Sequence, residues 1–210
     1  MANATRHPDE RSTKSSLILA AAYDLFLAQG YDAVSTDLIA KTAGVSKATL
    51  YAHFSSKEAL FSEILLGQCA EFSSHVHFPE TYDGDLAGTL RRFALDFTAI
   101  FESERGISLY RLIIGEVHRF PEIALAFEAA GPSDTSRRLM RLLRLIAERG
   151  DLTIDDFDLA AEQFLALLTG RLLLDRALGL PRASPEEIAR QVDAAVTLFL
   201  RGYATAPEPR

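Results

Sequence analysis

Residues 35–57 read S-T-D-L-I-A-K-T-A-G-V-S-K-A-T-L-Y-A-H-F-S-S-K, and this stretch restricts the fold more tightly than any other. It holds two short helical patterns separated by one glycine. Ser35 and Thr36 are good N-cap residues, because their hydroxyls accept backbone N–H groups that a helix start leaves unpaired. Leu38, Ile39, Ala40 and Ala43 then supply one apolar face. Gly44 breaks the pattern, since glycine turns through positive φ without steric cost. Val45 turns back toward a core. Ser46 caps a second helix over 47–53, with Leu50 pointing inward and Phe54 closing it. Two helices joined by a short glycine-containing turn form a helix-turn-helix, whose second helix fits a DNA major groove. The other reading of the same pattern is an ordinary αα-hairpin inside a helical protein.

The outward positions favour DNA. Lys47, Ala48, Thr49, Tyr51 and His53 are small or can form hydrogen bonds, and none is acidic. Lys47 and Thr49 are candidates for base edges, and Ala48 for a thymine methyl group. Tyr51, His53, Lys57 and Thr36 are better placed for phosphates, contacts that position a protein without specifying sequence. The run T-D-L-I-A-K-T-A-G-V-S-K-A-T-L-Y-A-H-F-S-S-K-E-A-L-F resembles the DNA-binding domain of the TetR family of bacterial transcriptional repressors, over about residues 14–65. The ungapped G-V-S-K-A-T-L-Y-A-H-F-S-S-K-E-A-L is its most specific part. Farther along, residues 107–132, I-S-L-Y-R-L-I-I-G-E-V-H-R-F-P-E-I-A-L-A-F-E-A-A-G-P, are similar to the C-terminal domain of the AefR-like subgroup. Effector domains diverge widely in this family, so the second resemblance says little about a ligand.

Around this head the chain reads as all-α, with about nine or ten helices. The expected organisation is a flexible arm at 1–10, the helix-turn-helix domain at 11–57, a helical ligand-binding and dimerisation domain at 58–203, and a flexible tail at 204–210. Arg6 and Arg11 leave two readings open, a basic arm reaching phosphate or the minor groove and a solvated tail. A bracing helix spans 11–29, with Leu17, Ile18, Ala21, Ala22, Leu25 and Phe26 at helical spacing and Gly30 after its end. Ser55 and Glu58 have capping-box spacing at the start of the next helix. Its positive end and Lys57 together make a phosphate clamp. Gly106 is expected to separate a helix at 85–104 from one at 107–119. Residues 133–149 form an amphipathic helix whose Arg137, Arg138, Arg141 and Arg144 are expected to be solvated or paired with acids.

The last two helices point to assembly. Residues 155–178 are apolar on more than one side, which demands burial all round. Residues 185–202 open on Ser184-Pro185-Glu186-Glu187, an N-cap, an N1 proline and a capping-box glutamate. Ile188, Val192, Ala195, Val196, Phe199 and Leu200 make a wide stripe along it. These two helices are expected to pair with their two-fold copies in a four-helix homodimer interface, as the resemblance also implies. Burial within one subunit is the alternative.

The net charge of −7 argues against DNA only superficially. Residues 1–60 carry six basic and six acidic groups, so the deficit lies wholly in the remainder, and all four lysines precede residue 58. A neutral head predicts modest, salt-sensitive non-specific affinity. The lone Cys69 excludes an intramolecular disulfide and any cysteine-cluster metal site. No apolar run reaches the roughly 18 residues that a spanning helix needs, and the polar N-terminus lacks a signal-peptide core. A cytoplasmic location fits both observations, and no membrane partner is expected. His75 and His77 diverge on a helix, so no metal or other cofactor is expected. No G-x-S-x-G, H-E-x-x-H, P-loop or Rossmann pattern occurs, so no catalytic residues are assigned.

Residues and resemblance together lead to a homodimeric TetR-type regulator that is not an enzyme. It would repress from an inverted-repeat operator and be released by a small apolar or aromatic ligand. Phe97, Tyr110, Ile114, His118, Phe127 and Phe164 are the candidate ligand walls, with plain core packing as the alternative for each. Two further alternatives stay open: an effector-independent regulator or activator of the same fold, and a helical carrier or enzyme without DNA binding.

Overall fold

The computed structural model describes residues 8–205, with side chains from Thr13 onward. The expected tail beyond Thr205 and most of the expected arm, Arg6 included, lie outside the described residues, as does the side chain of Arg11. Ten α-helices form among the described residues: α1 (Pro8–Gln29), α2 (Thr36–Thr42), α3 (Lys47–His53), α4 (Lys57–His75), α5 (Leu86–Glu102), α6 (Glu104–Glu116), α7 (Pro121–Ala130), α8 (Pro132–Glu148), α9 (Phe157–Ala177) and α10 (Pro185–Tyr203). The all-α expectation therefore holds. None of the helices is long and apolar enough to cross a membrane.

The chain divides into two compact units. The first comprises the residues up to Cys69 together with Arg111–Glu128, and the second comprises Ala70–Tyr110 and the chain from Ala129 onward. The sequence reading places its boundary at 57/58 and assigns 111–128 to the second domain. The aromatic chemistry of the first unit explains the difference. Phe26, Tyr31 and Phe61 pack as a buried trio with centroids 4.9 to 5.3 Å apart. Phe120 completes it, its ring edge-on to Tyr31 at 4.8 Å. Arg119 adds an ion pair to Asp32. Residues far apart in sequence thus share one core, which sequence spacing alone does not reveal.

The second unit is built around a chain of phenylalanines. Phe93 lies parallel to Phe97 at 5.8 Å and stacks on Phe164 at 6.0 Å, and Phe164 meets Phe199 at 4.7 Å. Leu139, Leu142, Leu143 and Ile146 bring the inner face of α8 into the same core. The opposite face of α8 meets the expectation in part, since Arg137, Arg141 and Arg144 are exposed. Arg137 pairs with Asp134, but Arg138 lies 4.1 Å over the Phe78 ring and Arg144 4.3 Å over Phe157. Guanidinium groups stack well on aromatic faces, so these arginines cover core rings as well as meeting solvent.

Several boundaries also shift. Gly106 does not break a helix. It lies in the first turns of α6, where a Cβ would come within 2.0 Å of the Ile100 carbonyl oxygen. The break is at Ser103, whose extended backbone ends α5. Helix α9 kinks at Gly170, which leaves helical geometry at φ 21. At α10 the capping box forms as expected between Ser184 and Glu187. The tail begins in order, with Ala204 bridged to Leu152 and Thr205 donating its N–H to the Asp151 carbonyl at 3.1 Å.

Candidate nucleic-acid interface

Capping chemistry shapes the head locally. Ser35 accepts the Leu38 N–H at 3.1 Å and Ser46 the Thr49 N–H at 3.1 Å, fixing the starts of α2 and α3. Between them, Val45 N–H returns to the Ala40 carbonyl at 3.0 Å and Gly44 N–H to Lys41 at 3.2 Å. These two bonds form a Schellman motif, which needs a left-handed residue after the cap. Gly44 supplies it at φ 67. Ile39, Ala40 and Leu50 are buried, Leu50 completely, so the second helix can rotate in only one register against the first. Short helices of this length do not hold by themselves; their packing holds them.

That register sets what faces outward. Lys47, Ala48 and Tyr51 are exposed, Tyr51 to 45 %, while Thr36, Thr49 and His53 are half-buried. The polar groups brace one another. Tyr51 Oη lies 3.2 Å from Thr36 Oγ1, and Thr49 Oγ1 lies 2.8 Å from Ser46 Oγ. Lys47 Nζ bridges both Asp37 carboxylate oxygens, at 2.8 and 2.9 Å. The bond from Asp37 raises the lysine's pKa, so its ammonium stays charged at neutral pH. Asp37 is the residue that the sequence reading missed. Its contact is created by packing α2 against α3, and ten residues of separation give no local signal.

Lys57 differs from its expected posture. Its ammonium lies 4.2 Å over the Tyr31 ring and 3.4 Å from the Asp32 carbonyl oxygen. Burial lowers its pKa. The start of α4 is capped by Ser56, which accepts the Ala59 N–H at 3.1 Å, and not by the expected Ser55. Glu58, held below its ordinary pKa by a bond to Ser56, turns to that hydroxyl.

The six candidate ligand-wall residues fall into two groups. Phe97, Tyr110 and Phe164 belong to the second unit and join its aromatic chain, for Phe101 links Phe97 at 5.4 Å to Tyr110 at 6.4 Å. Phe97 and Phe164 are core residues, 7 % and 0 % exposed. Ile114, His118 and Phe127 belong to the first unit, where Ile114 and His118 are exposed.

A capped, glycine-turned helix pair with an outward second helix, followed by a larger helical unit, defines a helix-turn-helix transcription regulator. The comparisons refine that class. Residues 18–64 match the bacterial regulatory proteins of the tetR family, and residues 88–205 match the AefR-like transcriptional repressor C-terminal domain. The chain belongs to the TetR family. The solved structure of the flavonoid-responsive regulator FrrA is 38 % identical, covers 94 % of this chain and 100 % of that one, and superimposes with a TM-score of 0.84. The uncharacterized regulator YvkB of Bacillus subtilis is 27 % identical over 89 % of this chain and 95 % of its own. A match to YdeS of the same organism is 46 % identical but covers only 31 % of this chain and 32 % of that protein.

Proposed function

We propose that the protein is a homodimeric repressor that binds an inverted-repeat operator and leaves it when a small aromatic molecule binds the second unit. The observation that carries the DNA half is the outward row on α3, small, charged or hydrogen-bonding and without an acid, on a helix fixed by Ser46 and Leu50. Lys47, Thr49 and Ala48 read base edges, and Thr36, Tyr51, His53 and Lys57 meet phosphates. Lys57 must leave the Tyr31 ring to do so.

The dimer rests on apolar surface that a single chain leaves open. Leu159 and Leu174 on α9 and Leu198 on α10 are 47 %, 56 % and 56 % exposed. Pairing the two helices with their two-fold copies covers them, and makes the two recognition helices address two half-sites. The regulator acts in the cytoplasm, where its DNA is.

The effector half rests on the name of the flavonoid-responsive relative and on the aromatic chain that joins half-buried Tyr110, through Phe101, to the core rings Phe97, Phe93 and Phe164. A planar polyphenol matches such rings in shape and polarisability. Ile114, His118 and Phe127 have no such chain to support them. Binding would favour a conformer whose recognition helices no longer fit the groove spacing, by no more than the ligand's preference for that conformer. Titrating a flavonoid into the protein–operator complex is expected to release the DNA, followed by fluorescence anisotropy of labelled duplex. Undiminished binding at saturating flavonoid would remove this effector class.

A further inference from the structure

Two consecutive residues of α2 reach across to the outward row of α3. Thr36 and Asp37 are neighbours, and the side chains they meet, Tyr51 and Lys47, lie one helical turn apart. The two contacts differ in kind. Thr36 and Tyr51 share a hydroxyl contact at 3.2 Å. Asp37 brings a full charge: one carboxylate oxygen accepts a hydrogen bond from Lys47 Nζ at 2.9 Å, and the other lies 2.8 Å from the same nitrogen. Among the described residues, Asp37 is the one acid bonded to a side chain of α3.

This pair does little for the fold. Lys47 and Asp37 keep 52 % and 67 % of their side chains exposed, and ion pairs so open to water contribute little to stability. Its consequence falls on what Lys47 can do at DNA. An ammonium carries three N–H donors, so donors remain after Asp37 has taken its bond. The charge, by contrast, is cancelled by the neighbouring carboxylate. Phosphates attract a cation through charge and the release of counterions, without regard to sequence. A base edge is read through a directed donor. Asp37 therefore weakens the first kind of contact and keeps the second available.

Resting on the assignment of Lys47 to a base edge, we propose that Asp37 is a specificity-determining residue, which denies the Lys47 charge to phosphates while leaving its donors for a base. On a sequence without the matching acceptor, Lys47 gains nothing by leaving Asp37, and the carboxylate itself faces the negative backbone. On the operator the base acceptor offsets that cost. Specificity is a difference of affinities, and a repulsive group that penalises the wrong sequence widens it as effectively as an attractive one.

The test uses full-length protein, its Asp37→Ala, Asp37→Asn and Lys47→Ala variants, and the double variant Asp37→Ala/Lys47→Ala. Selection from a random-sequence duplex library first gives the base preferences of the wild type and of Lys47→Ala. Affinity for a mixed-sequence duplex that this selection leaves unenriched is then measured across a salt series. Asp37→Ala is expected to bind that duplex about five- to tenfold tighter at about 0.1 M salt, with a log–log salt slope steeper by about 0.9, the mark of one more phosphate neutralised. Asp37→Asn keeps the size and an acceptor oxygen but not the charge, and should show the same gain. In the Lys47→Ala background, Asp37→Ala should gain about twofold at most, because no ammonium is released.

The outcomes separate this role from the assignment beneath it. If Lys47→Ala leaves the base preferences of the wild type unchanged, Lys47 reads no base and both fall. If Lys47→Ala flattens one position while Asp37→Ala leaves the non-specific affinity and salt slope where they were, the assignment of Lys47 stands and the role of Asp37 is overturned. A gain in Asp37→Ala that Asp37→Asn lacks would overturn it as well, since charge would not be the cause. So would an equal gain with and without Lys47, because Asp37 would then repel phosphate by itself.

Discussion

Leu198→Glu is expected to make the protein monomeric and to abolish tight operator binding. Leu198 sits on α10, 56 % exposed, beside a shallow apolar depression lined by Ala166, Leu167, Phe199 and Gly202. An isologous interface presents each substitution to its own copy, so one glutamate becomes two carboxylates in an apolar seam. Burying unpaired charges there costs several kcal/mol, enough to dissociate a dimer at micromolar concentration. The folded chain loses little, because the side chain is exposed in the single subunit. With the two heads unlinked, the second half-site no longer adds its effective concentration, and operator affinity should fall by about 10²–10⁴-fold. Light scattering reads the assembly and gel shift reads the affinity. A variant that stays dimeric and binds normally would put the interface elsewhere.

Lys47→Ala is expected to weaken the operator complex by about ten- to a hundred-fold and to erase preference at one base pair of each half-site. Asp37 meets the Lys47 ammonium at two points, and on the proposed assignment that contact orients the side chain for the groove. Its pKa is raised by that bond, and its charge does not change across the neutral range, so the loss should not vary with pH. The pair is exposed and screened, so the variant should remain folded. Competition against operators altered one base pair at a time measures the pattern. A uniform loss across all of them, with a shallower salt dependence, would assign Lys47 to phosphate.

How much of this was legible in the sequence depended on distance along the chain. The caps at Ser35, Ser46 and Ser184 and the turn at Gly44 follow from chemistry within five residues, and the structure carries all of them. Local signals also misled. Ser55 and Glu58 have the right spacing, but Ser56 has the better position and takes the cap. Gly106 looks like a breaker, whereas a close approach to Ile100 requires it inside a helix. The grip of Asp37 on Lys47, the packing of Phe120 on Tyr31 and the meeting of Glu102 with Arg182 join residues 10, 89 and 80 positions apart. No periodicity encodes such contacts. The arginines of α8 were visible as a stripe, but their aromatic partners Phe78 and Phe157 come from other segments.

The central claim is sequence-specific DNA binding by a dimer. Its most direct test is selection of bound duplexes from the protein's own genomic DNA at near-physiological salt, using refolded protein stripped of small molecules, followed by sequencing. The account predicts an enriched inverted repeat whose half-sites lie about one helical turn, or a multiple of it, apart. A confirmed dimer that enriches no sequence would contradict it.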